Sequence, residues 1–129
     1  MNRTGVLQFG FVISLAASFV GCNGQKVYHV AGTVTFQGKS VPAGQIIFEP
    51  DASAGNNGPP AFAKIKDGHY DTRAEGQGTI GGPHLVRIHG RDGIPRGELL
   101  NGLPLFLPDY ETKADLPKQS GTLDFDVKK

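Results

Sequence analysis

The stretch VYHVAGTVTFQGKSVPAGQIIF, residues 27–48, decides the fold of this chain. One side of its first ten residues is apolar and carries Tyr28, Val30, Gly32, Val34 and Phe36. Alternation with a period of two is the pattern of a half-buried β-strand. The polar turn at residues 37–40 includes a glycine that tolerates a positive φ. A second strand is expected at residues 45–48, so the stretch predicts two short strands separated by a turn.

The rest of the chain continues this pattern. Further strands are expected at residues 61–66, 69–73, 84–89 and 122–127, with a hairpin turn at Asp67-Gly68. Glycine (19 residues) and proline (9 residues) fall between these runs, and no stretch has a convincing helical period. Six or seven short strands at this spacing predict an all-β fold, a single small antiparallel β-sandwich of about seven strands at residues 27–129.

One long segment, residues 91–120, interrupts the pattern with four prolines and many leucines. A structureless connection of this length is unusual inside a small domain. We expect it to pack over an open end or edge of the sandwich, with a short strand near Leu105 and a buried Tyr110 whose hydroxyl bonds the backbone. Its apolar residues either cover the core or form a partner surface. The candidates for that surface are Leu99, Leu100, Leu103, Leu105 and Phe106.

The N-terminal segment is built like an export signal. A polar, basic start with Arg3 precedes an apolar run that ends in Gly21-Cys22, and Cys22 is the single cysteine. The run is too short to be a comfortable membrane span. Its ending resembles the lipobox of bacterial lipoproteins, in which a small residue precedes a cysteine that is lipidated. The resemblance implies a signal peptide at 1–21, a tether at 22–26, and an extracytoplasmic domain anchored to a membrane through lipid on Cys22.

The charge balance narrows the class of partner. The chain carries 13 basic and 12 acidic side chains, and removing Arg3 with the signal leaves 12 of each. A neutral balance argues against nucleic acid, which is bound by basic patches. A single cysteine permits no disulfide within the chain, so the domain depends on its apolar core.

Several motifs together resemble one family of modules. The hairpin at residues 30–44 leads to Phe48-Glu49-Pro50, and Asp67-Gly68-His69-Tyr70 and the run at 82–88 follow. Pro108-Asp109-Tyr110 and Phe125-Asp126-Val127 resemble closing elements. The order is similar to small transthyretin-like (prealbumin-like) or carboxypeptidase regulatory-like domains of bacterial lipoproteins. The resemblance implies a transthyretin-like or immunoglobulin-like sandwich that serves in binding, spacing or interaction, without chemistry of its own.

The function expected from this resemblance is that of a non-catalytic interaction or structural module at the cell envelope, with a protein or glycan partner. Hydrolases of the transthyretin-like fold end in Tyr-Arg-Gly-Ser, whereas this chain ends in Val127-Lys128-Lys129, so we expect no enzyme. A glycan- or metal-binding module is the alternative. His29 and His89 are expected on outward strand faces, where they could hold zinc or copper with a carboxylate, although no close ligand spacing is present. No cofactor is expected.

Overall fold

The chain forms nine β-strands in a computed structural model that describes residues 26–129. The predicted signal segment, Cys22 and most of the tether lie outside the described residues. The strands are β1 (Val30–Phe36), β2 (Lys39–Ser40), β3 (Ala43–Pro50), β4 (Ala61–Lys66), β5 (His69–Asp71), β6 (Gly82–Arg91), β7 (Tyr110–Leu116), β8 (Gly121–Thr122) and β9 (Phe125–Val127). The only helices among these residues are single 3-10 turns at Ala52–Ala54 and Thr72–Glu75. The predicted all-β class is confirmed.

The strands join in the order β2-β1-β5-β4-β3-β6-β7, which gives a curled and mostly antiparallel sheet. β3 and β6 form its centre and pair along their whole length, from Ala43 opposite Arg91 to Pro50 opposite His84. β1 pairs with β5 along its first half and with β2 along its second half. Each pairing from β1 through β5, β4 and β3 to β6 is antiparallel, so β6 runs in the same direction as β1 and β4.

The strand predicted at residues 122–127 is present in two parts, and these are the exception to the antiparallel pattern of the sheet. Two short strands, β8 and β9, pair with β1 in parallel, with Val30 opposite Gly121 and Val34 opposite Phe125. β7 runs against β6, so it ends beside the start of β6 at Leu116. The chain turns there and returns along the free side of β1, and the return is necessarily parallel to β1. We call residues 117–129 the C-terminal strap.

The segment at residues 91–120 also differs from expectation. It contains a full strand, β7, which pairs with β6 from Tyr110 opposite Ile88 to Leu116 opposite Gly82. No strand forms near Leu105; the local pairing is an isolated bridge between Arg91 and Pro104. The tyrosine that bonds the backbone is Tyr70, which is 3% exposed and whose hydroxyl donates to the Leu123 carbonyl.

The inward faces of these strands form one apolar core. Val34, Phe48, Val86 and Ile88 are fully buried as the alternation predicts, whereas Phe36 and Phe125 are half-buried at its margin. The Phe48 ring lies 5.8 Å from the Tyr70 ring and 6.2 Å from the Phe125 ring. The strap therefore closes over this aromatic group. Within residues 26–129, no helix has the length and apolarity that crossing a membrane requires.

Candidate functional site

The connection between β6 and β7, residues 92–109, is an ordered loop organised around one carboxylate. Asp92 Oδ1 accepts hydrogen bonds from the backbone N–H of Ile94 (2.9 Å) and Leu103 (3.2 Å), and Oδ2 accepts one from the Arg96 guanidinium (2.8 Å). The backbone N–H of Asp92 also donates to the Leu103 carbonyl. We call this segment the leucine loop.

The groups around Asp92 favour its charged form and pack closely against its carboxylate. The pKa of its carboxyl is lowered, first by the hydrogen bond from the Ile94 backbone and next by the one from the Arg96 side chain. Gly102 lies against the same carboxylate with φ +80°, and a Cβ built there would be 1.8 Å from Asp92 Oδ1. The Arg91 guanidinium donates to the Gly102 carbonyl at 3.0 Å, which joins the loop to the end of β6. The loop is thus held by polar groups.

Most of the large apolar side chains of the leucine loop are exposed to solvent. Five of them are 44–75% exposed: Ile94, Leu99, Leu100, Leu103 and Leu107. Single exposed apolar residues are ordinary, but a group on one loop is typical of an interaction surface. Sequence analysis missed Ile94, which stands beside a proline on this leucine-rich segment, and it left Leu107 out of the candidates named for the partner surface.

Two of the five residues proposed for a partner surface belong to the leucine loop but pack against the core instead of being exposed. Phe106 is 7% exposed, and its ring packs edge-on against Phe36 with centroids 5.1 Å apart. Gly90 lies beneath this ring, where a Cβ would be 2.7 Å from its edge. Leu105 is half-buried against the core. These residues attach the loop to the domain, and Leu99, Leu100 and Leu103 stay on its outside.

The leucine loop and the start of the domain lie at opposite ends of β6. Tyr28 pairs with Thr79, three residues before β6 begins, through two backbone hydrogen bonds of 2.8 Å. The loop begins where β6 ends, at Arg91. A strand of ten residues spans about 30 Å, so the loop is far from the point at which the chain joins the domain.

A basic groove of about 560 Å³ adjoins the leucine loop on the outward face of β3, β4 and β6. Its lining includes the cations Lys64, Lys66 and Arg91, together with His89 and Gln45. Asn101 of the leucine loop forms part of the same lining, and no carboxylate does. Among the described residues, neither lysine forms an ion pair. The groove therefore has an excess of positive charge next to an apolar surface.

Lys64 and Lys66 also line a second, more open groove of about 870 Å³, which lies on their other side. Its lining contains the carboxylates Asp67, Asp71, Glu75 and Asp124. Asp124 Oδ1 accepts from the Thr33 N–H at 2.8 Å and Asp71 lies 3.5 Å from Arg73, so two of these groups already have partners. Across residues 26–129, no group of three histidine, cysteine or acidic side chains is arranged to hold a metal ion.

The two histidines considered as metal ligands are far apart in the sheet. His29 Nδ1 lies 3.2 Å from Thr72 Oγ1, just before β1. His89 Nδ1, on β6, lies 2.8 Å from an Asp109 carboxylate oxygen. Strands β5, β4 and β3 separate β1 from β6, so the structure does not bring the two imidazoles together.

His84 is buried on the inward face of β6, the face that alternation assigns to Val86 and Ile88. It is 1% exposed. Its Nδ1 lies 2.8 Å from the Gly82 carbonyl, which can only accept, so this nitrogen carries the hydrogen. Nε2 is buried without a partner among the described residues. An unsatisfied acceptor of this kind lowers stability by about 1–3 kcal/mol, and neither groove includes His84 in its lining.

Two histidine pairs, His89 with Asp109 and His29 with Thr72, resemble parts of a catalytic site. Neither pair combines a base with an accessible nucleophile. Asp109 orients His89 as a carboxylate orients a general base, yet within residues 26–129 no hydroxyl bonds that imidazole. Thr72 beside His29 is fully buried, and its Oγ1 accepts from the Val30 N–H at 3.0 Å, so it is closed to a substrate.

No protein-family model matches the chain, and no curated protein is significantly similar to it in sequence.

Proposed function

We propose that this protein is a lipid-anchored, extracytoplasmic β-domain that serves as a non-catalytic interaction module at the cell envelope. The observation that carries the proposal is the leucine loop, an ordered loop whose backbone is held by Asp92 while five of its seven large apolar side chains are 44–75% exposed. Binding residues are characteristically carried on loops that a rigid scaffold positions. The partner surface is the outside of this loop.

The position of the loop fits an anchored module. Lipid on Cys22 and a tether of residues 22–26 hold the start of the domain, near Tyr28, close to the membrane. Because the leucine loop lies at the far end of β6, about 30 Å away, this anchor leaves the loop at the end of the domain away from that membrane. The leucines of the loop are then placed to meet a protein of the envelope.

Site-specific photocrosslinking in intact cells tests the proposed surface. A photoreactive residue at Leu100 should give a discrete crosslinked protein, and the same residue at Val27, which is 48% exposed near the tether, should not give it. Adding Leu107→Gln to the Leu100 probe should weaken the product without lowering stability. Equal products from both probe positions would contradict a specific surface.

The anchor has its own test. Cys22→Ser should block lipidation and processing and leave a longer precursor, because the thiol is the group that accepts lipid. Labelling with a fatty acid should show a band for the parent chain and none for Cys22→Ser. Undiminished labelling of the variant would disprove the anchor, and it would leave the leucine-loop test unaffected.

A further inference from the structure

We infer that the partner presents an acidic protein segment, whose carboxylates lie in the basic groove while its neighbouring apolar side chains cover the leucine loop. This inference rests on the proposed function and names the chemistry of the partner. Its first support is continuity, because Asn101 of the leucine loop also lines the groove. A single segment can therefore contact both surfaces.

The register of the sheet arranges the groove as two rows across three strands. In the first row, Ala43 lies between Lys66 and Arg91. In the second row, Gln45 lies between Lys64 and His89. Neighbouring strands are about 4.8 Å apart, so the outer backbones of a row are about 10 Å apart. The small Ala43 leaves room between the two cations of the first row, and a carboxylate there can meet both.

The spacing of the rows matches an extended peptide. Ala43 and Gln45 are two residues apart on β3, which is about 7 Å along the strand. Alternate side chains of an extended segment repeat at the same distance. An acidic peptide lying along β3 can therefore place one carboxylate in the Lys66–Arg91 row and the next beside Lys64 and Gln45.

Two side chains of the groove are already oriented by the protein. Arg91 donates from one guanidinium nitrogen to the Gly102 carbonyl at 3.0 Å, which holds this cation at the groove and leaves its other nitrogens to bind. His89 is fixed through Nδ1 by Asp109 at 2.8 Å. Groups held in place before binding lose less conformational entropy when a ligand arrives.

Other anions fit the surroundings less well. The groove lining contains no Phe, Tyr or Trp, and sugar faces commonly stack on such rings. Membrane phosphates belong to the far end of the domain if the tether holds the start of β1. The carboxylates on the other side of the two lysines would repel an extended polyanion such as a nucleic acid. A short acidic segment avoids that repulsion.

Binding of two polymer probes by the full chain in nonionic detergent tests the inference. The probes are a fluorescent poly-L-glutamate and a copolymer of L-glutamate and L-leucine, both short enough to lie along β3 alone, and their binding is followed by anisotropy at low salt. We expect Lys64→Glu with Lys66→Glu to weaken both probes about tenfold or more, since each carboxylate then meets like charge. The control pair, Lys39→Glu with Lys113→Glu, makes the same change of net charge at exposed sites outside the groove and should retain binding.

The leucine loop should affect only one probe. Leu100→Gln with Leu107→Gln should weaken the copolymer and leave poly-L-glutamate unchanged, because only the copolymer offers apolar side chains. Equal binding by the groove pair and the control pair would overturn the inference. Tighter binding of polygalacturonate, or of phosphatidylglycerol vesicles, with the same dependence on Lys64 and Lys66 would also overturn it. If the crosslink at Leu100 survives while the groove pair has no effect, the proposed function stands and this inference fails.

Discussion

The C-terminal strap and the leucine loop flank the same strand, β7, and arrange their apolar residues in opposite ways. In the strap, Leu123, Phe125 and Val127 pack against the core. The strap's acidic residues lie outside and bond β1: Asp124 Oδ1 accepts from the Thr33 N–H, and Asp126 from the Thr35 hydroxyl. In the leucine loop, the carboxylate of Asp92 is the centre, and four of the five leucines are exposed.

The difference separates side chains that hold a segment in place from side chains that are displayed. Backbone polar groups must find partners when they leave water. The strap finds them along β1, and its apolar residues supply the burial. The leucine loop finds them at Asp92 and in its own turns, so its exposed leucines are not needed to hold it. Residues without a structural task on an ordered loop are the better candidates for binding a partner.

The largest effect is expected beneath the strap. Phe48→Ala should lower the free energy of unfolding by about 3–5 kcal/mol, because it empties a fully buried site shared with Tyr70 and Phe125. Phe62→Ala, which removes a half-buried ring from the outward side of β4, is the matched control and should lower it less. Urea unfolding measures both changes. Equal losses would show that the strap does not close the core.

A smaller effect should follow from removing the bond that joins the strap to β5. Tyr70→Phe leaves the Leu123 carbonyl without its donor and should lower the free energy of unfolding by about 1–3 kcal/mol. Tyr110→Phe removes the hydroxyl of a half-buried tyrosine and should have little effect. If Tyr110→Phe proves as harmful as Tyr70→Phe, Tyr70 has no special role in holding the strap.

The same tyrosine predicts a dependence on alkaline pH. Burial raises the pKa of Tyr70, and the nearby charges of Asp124 and Asp71 raise it further. The folded state then keeps this proton at pH values where the unfolded chain releases it. Its contribution to stability is complete below the ordinary pKa of 10.0 and declines as pH rises above it. Tyr70→Phe should abolish this part of the decline in urea unfolding curves, whereas Tyr110→Phe should not.

The strands that sequence predicted best are those with strong alternation and turn signals. β1, β3, β4 and β6 all appear, and the Asp67-Gly68 hairpin forms with positive φ at both residues. β7 also alternates, but two of its inward positions are Thr112 and Ala114, which give a weak apolar signal. Alternation indicated a strand in the strap, but it carries no information about whether that strand pairs in parallel or antiparallel.

The candidate site was predictable only in part. The leucine-rich composition pointed to the right segment, yet pattern alone does not distinguish a displayed leucine from a buried one. That distinction depends on Asp92, whose bonds to Ile94 and Leu103 arise from local backbone geometry. Alternation placed Asp124 outward but gave no sign that it binds the Thr33 N–H. The basic groove depends on which strands are neighbours, and that is a property of the topology.

Removing the carboxylate at the centre of the leucine loop should loosen the loop and leave the core intact. Asp92→Ala should speed hydrogen exchange at the Ile94 and Leu103 amides, because both lose their acceptor. Exchange at the fully buried Ile46 should not change, and Asp115→Ala on β7 is the exposed control. Faster exchange at Ile46 in Asp92→Ala would mean that the loop is part of the cooperative core.

Acid should have the same local effect as Asp92→Ala. The pKa of Asp92 is held below its ordinary value of 3.8, so its contribution to the loop is complete above that pH. The contribution is lost as pH falls below 3.8 and the carboxylate gains a proton. The parent chain should therefore show increasing protection of the Leu103 amide, relative to Asp92→Ala, as pH rises through this range. A constant difference would exclude the charge of Asp92 as the cause.

The smallest effect on stability, and the sharpest test of the comparison, should come from the most exposed leucines. Leu100 and Leu107 are each 75% exposed, so changing both to Gln should alter the free energy of unfolding by no more than about 0.5 kcal/mol. Leu123→Gln makes the same chemical change on the half-buried side of the strap and should lower stability by about 1–3 kcal/mol. Partner capture should follow the reverse order, with loss in the first variant and retention in the second. Stability lost through Leu100 and Leu107 with capture unchanged would show that the leucine loop, like the strap, only covers the core.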